Sequence, residues 1–217
     1  MVNCNTVELI GIYGDDELIA CSAWTSTYRE LTFEKRDRIP KLLVDLWHNG
    51  HETPFEKGIV HFLVNCDIAS HIHLLKHRMS SLNAESARYK ELKEDKFHLP
   101  EDWVGIRHES DNPEYNHEWK HILRHYTELG NELYHKCIED LTPILGRKRA
   151  KESARYFKTY NSQIQSDIMF NMRSFANFLI LRRSMNAQRE IMDIANEMLE
   201  LVRQTGKFNY TLNAWGY

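Results

Sequence analysis

The apolar residues of this chain change their period along its length, and that change restricts the possible folds more than any other feature. Near the end, Ile191, Ile194, Ala195, Met198, Leu201 and Val202 recur at i, i+3, i+4 and i+7, so one helix face is expected over Asn186 to Arg203, with Gly206 just beyond it. Elsewhere short runs rich in strand formers stand alone: Thr6 to Tyr13, Ile59 to Cys66 and Gln163 to Asn171. Between them the pattern predicts helices near Leu18 to Ser26, over Asp37 to Asn49, over Ile68 to Leu75 and from Asn116 to Leu141. Thr142-Pro143 then reads as a fresh cap for a helix reaching about Phe157, and Thr53-Pro54-Phe55-Glu56 as another helix start. Residues 91 to 112, charged and aperiodic, read as a surface excursion. Low-complexity linkers and repeats are absent, so we expect residues 1–217 to form one α+β domain, a mixed sheet flanked by helices.

Composition narrows the function classes. The 28 Lys and Arg against 31 Asp and Glu leave a net charge of -3, which supplies no global field for nucleic acid or membrane, so any anion site must be local. No apolar run approaches the roughly 18 residues of a spanning helix. The first residues lack a basic leader and apolar stretch, and Cys4, Cys21, Cys66 and Cys137 lie far apart without a C-x-x-C pair. These features lead us to expect a cytoplasmic protein, in a host cytoplasm if virus-encoded, with reduced thiols and no metal centre.

The chemistry concentrates between Lys76 and Tyr89, where Lys76, His77, Arg78 and Arg88 are interleaved with Ser80, Ser81, Asn83 and Ser86. Arginine forks give bidentate, charge-assisted bonds to phosphate oxygens, and hydroxyls and amides fill the remaining acceptors. A solvated basic loop has the same composition. What separates the two is that this stretch resembles the signature of the flavin-dependent thymidylate synthases, R-H-R-x-x-S-x-N-E-x-S-x-R-Y, with His77, Arg78, Ser81, Asn83, Ser86, Arg88 and Tyr89 in register. Upstream, Gly50-His51-Glu52-Thr53-Pro54-Phe55-Glu56 is similar to that family's G-H-x-x-x-x-E block. Downstream, residues 171–182 (NMRSFANFLILR) and 187–191 (AQREI) resemble its N-x-R-S-x-x-N-F-L-x-L-R and A-Q-x-E-I blocks.

The resemblance implies contacts to FAD from Thr53, Lys76, His77, Arg78, Ala84, Asn171, Arg173 and Asn177. It implies a dUMP site built from His73, Lys76, Glu85, Ser86, Arg88 and Arg155, with Arg182 facing the pyrimidine as the catalytic group. It further implies 5,10-methylenetetrahydrofolate as carbon donor, NADPH as reductant, and a homotetramer with sites between subunits. Lys76 stands where the family usually has Arg, His73 where it has Gln, Ala84 and Lys57 where it has Glu and His, and Trp24 and Asn186 where it has Arg and His. These departures surround the pocket and leave open a divergent member that methylates UMP or transfers another one-carbon group.

The chemistry can also be argued without the family. Uracil C5 is a poor nucleophile. Adding a Cys thiolate at C6 would activate it, but no cysteine here has a context for that. A permanently protonated Arg against the N3/O4 side would stabilise the ring anion instead, and Arg182 is the candidate. Two readings of other classes remain. His117-Glu118-Trp119-Lys120-His121 is literally H-E-x-x-H, a zinc-hydrolase pattern if it lies on a helix. The 76–89 cations could instead serve a nucleic acid, although no aromatic stacking platform accompanies them.

Overall fold

The structure, a computed structural model, describes residues 4–109 and 117–217. Its strands are β1 (Thr6–Tyr13), β2 (Ile59–Asp67), β3 (Ser80–Ala84) and β4 (Gln163–Asn171), in one sheet of order β1-β2-β4-β3. The helices among the described residues are α1 (Asp16–Trp24), α2 (Phe33–Arg36), α3 (Ile39–His48), α4 (Ile68–Leu75), α5 (Trp119–Leu145), α6 (Arg147–Ala154), α7 (Met172–Arg182), α8 (Arg189–Gln204) and α9 (Asn209–Ala214). The α+β expectation holds, but the sheet is antiparallel where a mixed one was expected. Asn5 meets Asp67 while Gly11 faces His61, and Gln165 reaches Asn65 while Asp167 reaches His61, so residue numbers run in opposite directions across both pairs.

The chain forms two compact units, one of residues 1–6, 65–74 and 84–166 and the other of residues 7–64, 75–83 and 167–217. In the second unit, Val60, Phe62, Ile168 and Phe170 alternate inward along β2 and β4 and are fully buried. They meet α7 through aromatic pairs, Phe62 with Phe175 at 5.7 Å and Phe170 with Phe178 at 5.2 Å. Three helices here, α1, α7 and α9, start on a polar side-chain acceptor. The Asp15 carboxylate accepts from Leu18 N at 2.8 Å to open α1, and the Asn171 amide oxygen accepts from Ser174 N at 2.8 Å to open α7. The buried Asp16 does the same for α9, accepting from the amides of Tyr210 and Thr211 and from the Thr211 hydroxyl. The amphipathic stripe of α8 is one residue different from expectation, with Leu199 buried and Leu201 only half-buried.

In the first unit, Tyr134 and Ile138 of α5 pack with Ala154 of α6. Lys158 is almost fully buried above the Tyr134 ring, 4.4 Å from its centroid, and donates to Asp95 at 2.6 Å and Asn131 at 2.7 Å. Three expectations fail here. Pro143 does not start a helix: α5 runs through it to Leu145, and the Thr142 hydroxyl bonds back to Ile138 O at 2.5 Å. The stretch to Phe157 then breaks into α6 and a 3₁₀ turn over 155–157. The expected start of α5 at Asn116 lies outside the described residues, as does part of the 91–112 excursion. That excursion is not all surface, since Phe97 and Leu99 are buried.

Candidate active site

α7 carries most of the site. Asn171, Arg173 and Asn177 follow one another around its first turns and line a cleft of about 420 Å3 in the second unit, with Trp47, Met79 and Ile180 as apolar walls. Because the Asn171 oxygen is spent on capping α7, that residue offers a ligand its amide N–H donors. Arg173 is already clamped, its Nε donating to Glu52 at 2.8 Å and its Nη1 to Glu56 at 2.7 Å. The two carboxylates, Glu56 first, push the guanidinium above its ordinary value. This clamp replaces the helix start expected at Thr53. The hydroxyl of Thr53 caps nothing, residues 53–57 form a 3₁₀ turn, and Glu56 turns to Arg173 instead of the backbone. Thr53 itself is exposed at the head of that turn.

At the far end of α7, Arg182 Nε donates to His77 Nε2 at 2.9 Å, and burial lowers the Arg182 pKa. The His77 ring is 8% exposed and meets the Phe178 ring edge-on, centroids 4.9 Å apart at 74°. Its neighbours Lys76 and Arg78 are exposed and make no ion pair among the described residues. Beyond them the chain enters β3, so the segment expected as a loop contains an edge strand.

The first unit holds the rest of the expected nucleotide site. Arg88 Nε donates to Glu152 at 2.8 Å, and the Ser86 hydroxyl accepts from the Arg88 amide at 3.3 Å. Arg88 holds the Glu152 carboxyl below its usual range. Glu85 accepts from Lys90 at 2.6 Å and borders a polar cavity of about 130 Å3 that Lys158 also lines. Ala84, the last residue of β3, is exposed and His73, on α4, is half-buried. Arg155 is exposed at the start of the 155–157 turn, and its side chain makes no hydrogen bond or ion pair among the described residues. Sequence reasoning missed Glu52 and Glu152 as partners of site arginines. Glu52 sits inside the quoted upstream block and had a signal. Glu152 is 64 residues from Arg88 and had none.

The zinc pattern loses its geometry. α5 begins at Trp119 with Glu118 as its cap, so His117 precedes the helix and does not share a face with His121. Burial pushes the Cys66 thiol far up, away from thiolate chemistry.

The family described as thymidylate synthase complementing protein matches residues 8–205. A flavin-dependent thymidylate synthase of Pseudothermotoga lettingae is 33% identical over 210 residues, covering 94% of this chain and 87% of that one. The chain belongs to the flavin-dependent thymidylate synthases. Another member, from Thermosipho melanesiensis, is 31% identical over 216 residues, covering 94% of this chain and 91% of that one. A solved structure, the UMP/dUMP methylase PolB from Streptomyces cacaoi bound with 5-Br dUMP, shares the fold. Its TM-score is 0.79 at 24% identity, over 99% of this chain and 96% of that one. Membership brings a flavin to a chain whose cleft has amide donors and apolar walls that include the Trp47 ring, a set that fits an isoalloxazine ring. Glu52 and Glu56 offset the charge of Arg173, whereas the exposed Lys76 and Arg78 make no ion pair among the described residues.

Proposed function

We propose that this chain makes dTMP from dUMP in the cytoplasm, with 5,10-methylenetetrahydrofolate as carbon donor and NADPH as reductant, as a homotetramer whose sites lie between subunits. The observation that carries the reading is the convergence of Asn171, Arg173 and Asn177, three residues that the sequence resemblance assigns to FAD, on one cleft. Thr53, Lys76, His77, Arg78 and Ala84 complete the FAD set. Bound there and reduced by NADPH, the flavin would supply the hydride that no side chain can provide.

The chain's own residues bind, orient and polarise. Ser86, Arg88 and Arg155 hold the dUMP phosphate, and His73, Lys76 and Glu85 border the nucleotide. Arg182 lies against the N3/O4 side of uracil, where its fixed charge stabilises the electron density that makes C5 nucleophilic. The high thiol pKa of Cys66 is consistent with activation from this side rather than by thiolate addition at C6.

The test compares dTMP formation by wild type and Arg182→Ala with dUMP, methylenetetrahydrofolate and NADPH, with UMP as a parallel substrate. We expect turnover of dUMP by wild type and its loss in Arg182→Ala, with an unchanged circular dichroism spectrum. Equal turnover by the two proteins removes the role of Arg182, and a preference for UMP assigns the chain to the divergent reading.

A further inference from the structure

The two arginines of α7 are held by different kinds of acceptor. Arg173 faces carboxylates, which balance its charge. Arg182 gives its Nε–H to an imidazole nitrogen. A guanidinium has five donors and no acceptor, so His77 Nε2 must present a lone pair, and the ring proton must sit on Nδ1 in a neutral imidazole. A neutral acceptor fixes the plane of the guanidinium without itself adding a counter-charge. The ring is itself held firmly: it is buried, and its partner Phe178 lies on α7 one turn before Arg182. The last turns of one helix therefore register both the histidine and the arginine that it orients.

We propose that His77 is a positioning residue for Arg182, acting through the Nε2 lone pair to hold the guanidinium at the angle that uracil activation requires. The proposal rests on the role given to Arg182 above and adds one for His77 beyond contact with FAD. An arginine deprived of this bond would still bind anions, but it would spend less time in the reactive geometry, and misplacement of about 1 Å costs on the order of a hundredfold in rate.

The test uses the flavin-loaded protein and two substitutions. His77→Phe keeps the ring and its packing on Phe178 but removes the acceptor. His77→Gln places an amide oxygen near the position of Nε2. We expect His77→Phe, assayed at FAD saturation because its FAD contact changes as well, to bind dUMP within about threefold of wild type, because the phosphate contacts are untouched, while kcat falls by on the order of a hundredfold. His77→Gln should recover most of that loss, to within about tenfold of wild type. In wild type, 15N NMR of the His77 ring should show a protonated Nδ1 and a bare, hydrogen-bonded Nε2, a signature that a merely structural role does not require. Wild-type kcat in His77→Phe, a His77→Gln as slow as His77→Phe, or a ring protonated on Nε2 overturns the positioning role while leaving the function intact. A wild-type protein that leaves dUMP unmethylated overturns the function, and this role with it.

Discussion

Each site arginine has a partner or lacks one, and the partner decides what the residue can do. Arg88 is paired with Glu152 in the free chain, so a dUMP phosphate would have to compete with that carboxylate. Exposed ion pairs are weak, so the exchange costs little, and Glu152→Gln should tighten dUMP binding about two- to fivefold. Arg88→Ala should weaken it about tenfold or more, through loss of a charge-assisted bond. Calorimetric titration of the two variants checks both, and a Glu152→Gln affinity below that of wild type would show that the carboxylate aids binding. The residue types and order proposed for the site were legible in the sequence through the resemblance of residues 76–89 and 171–182 to the family's blocks, because composition alone does not separate them from a solvated basic loop. Their partners were not legible: Glu152 approaches Arg88 only when the chain closes a loop of 64 residues, and no local pattern records that closure.

At the scale of elements, β1, α4 and β4 have the bounds that periodicity predicts, because Thr6–Tyr13, Ile68–Leu75 and Gln163–Asn171 are uniform in pattern and end in turn or cap residues. β3 escaped because its residues, Ser80 to Ala84, are nearly all small or polar, as an edge strand tolerates. α5 escaped its expected stop because Pro143 sits in the final turn, where the broken bond is local and Gly146, at φ +76, ends the helix soon after. The same helix supplies a test. Replacing a mid-helix glycine by alanine usually stabilises, by up to about 1 kcal/mol. At Gly130, however, an added Cβ would lie 2.6 Å from the carbonyl oxygen of Phe157. Gly130→Ala should therefore destabilise by about 1–3 kcal/mol, as overpacking does, and thermal unfolding reads the sign. A raised melting temperature would contradict the close approach of α5 to the 155–157 turn.

Across the whole molecule, burial has removed several charged groups from solvent, and this sets part of the response to pH. Burial pulls the Lys158 ammonium below its ordinary value, with Asp95 opposing. A base depressed in the folded state binds its proton more tightly when unfolded, so its contribution to stability rises with pH between the folded value and the ordinary lysine value and is flat below. Lys158→Met should lose this rise and also destabilise by about 1–3 kcal/mol, since Asp95 and Asn131 lose their donor. Denaturant unfolding of both proteins at several alkaline pH values checks the direction.

The central claim is that the assembled protein holds a flavin and a uracil nucleotide close enough for one to act on the other, and the absorption spectrum of the purified protein tests it most directly. We expect a yellow protein whose flavin band shifts when dUMP is added and stays unchanged with random oligonucleotides. A colourless preparation that takes up no FAD, or a flavin band indifferent to saturating dUMP, would contradict the account.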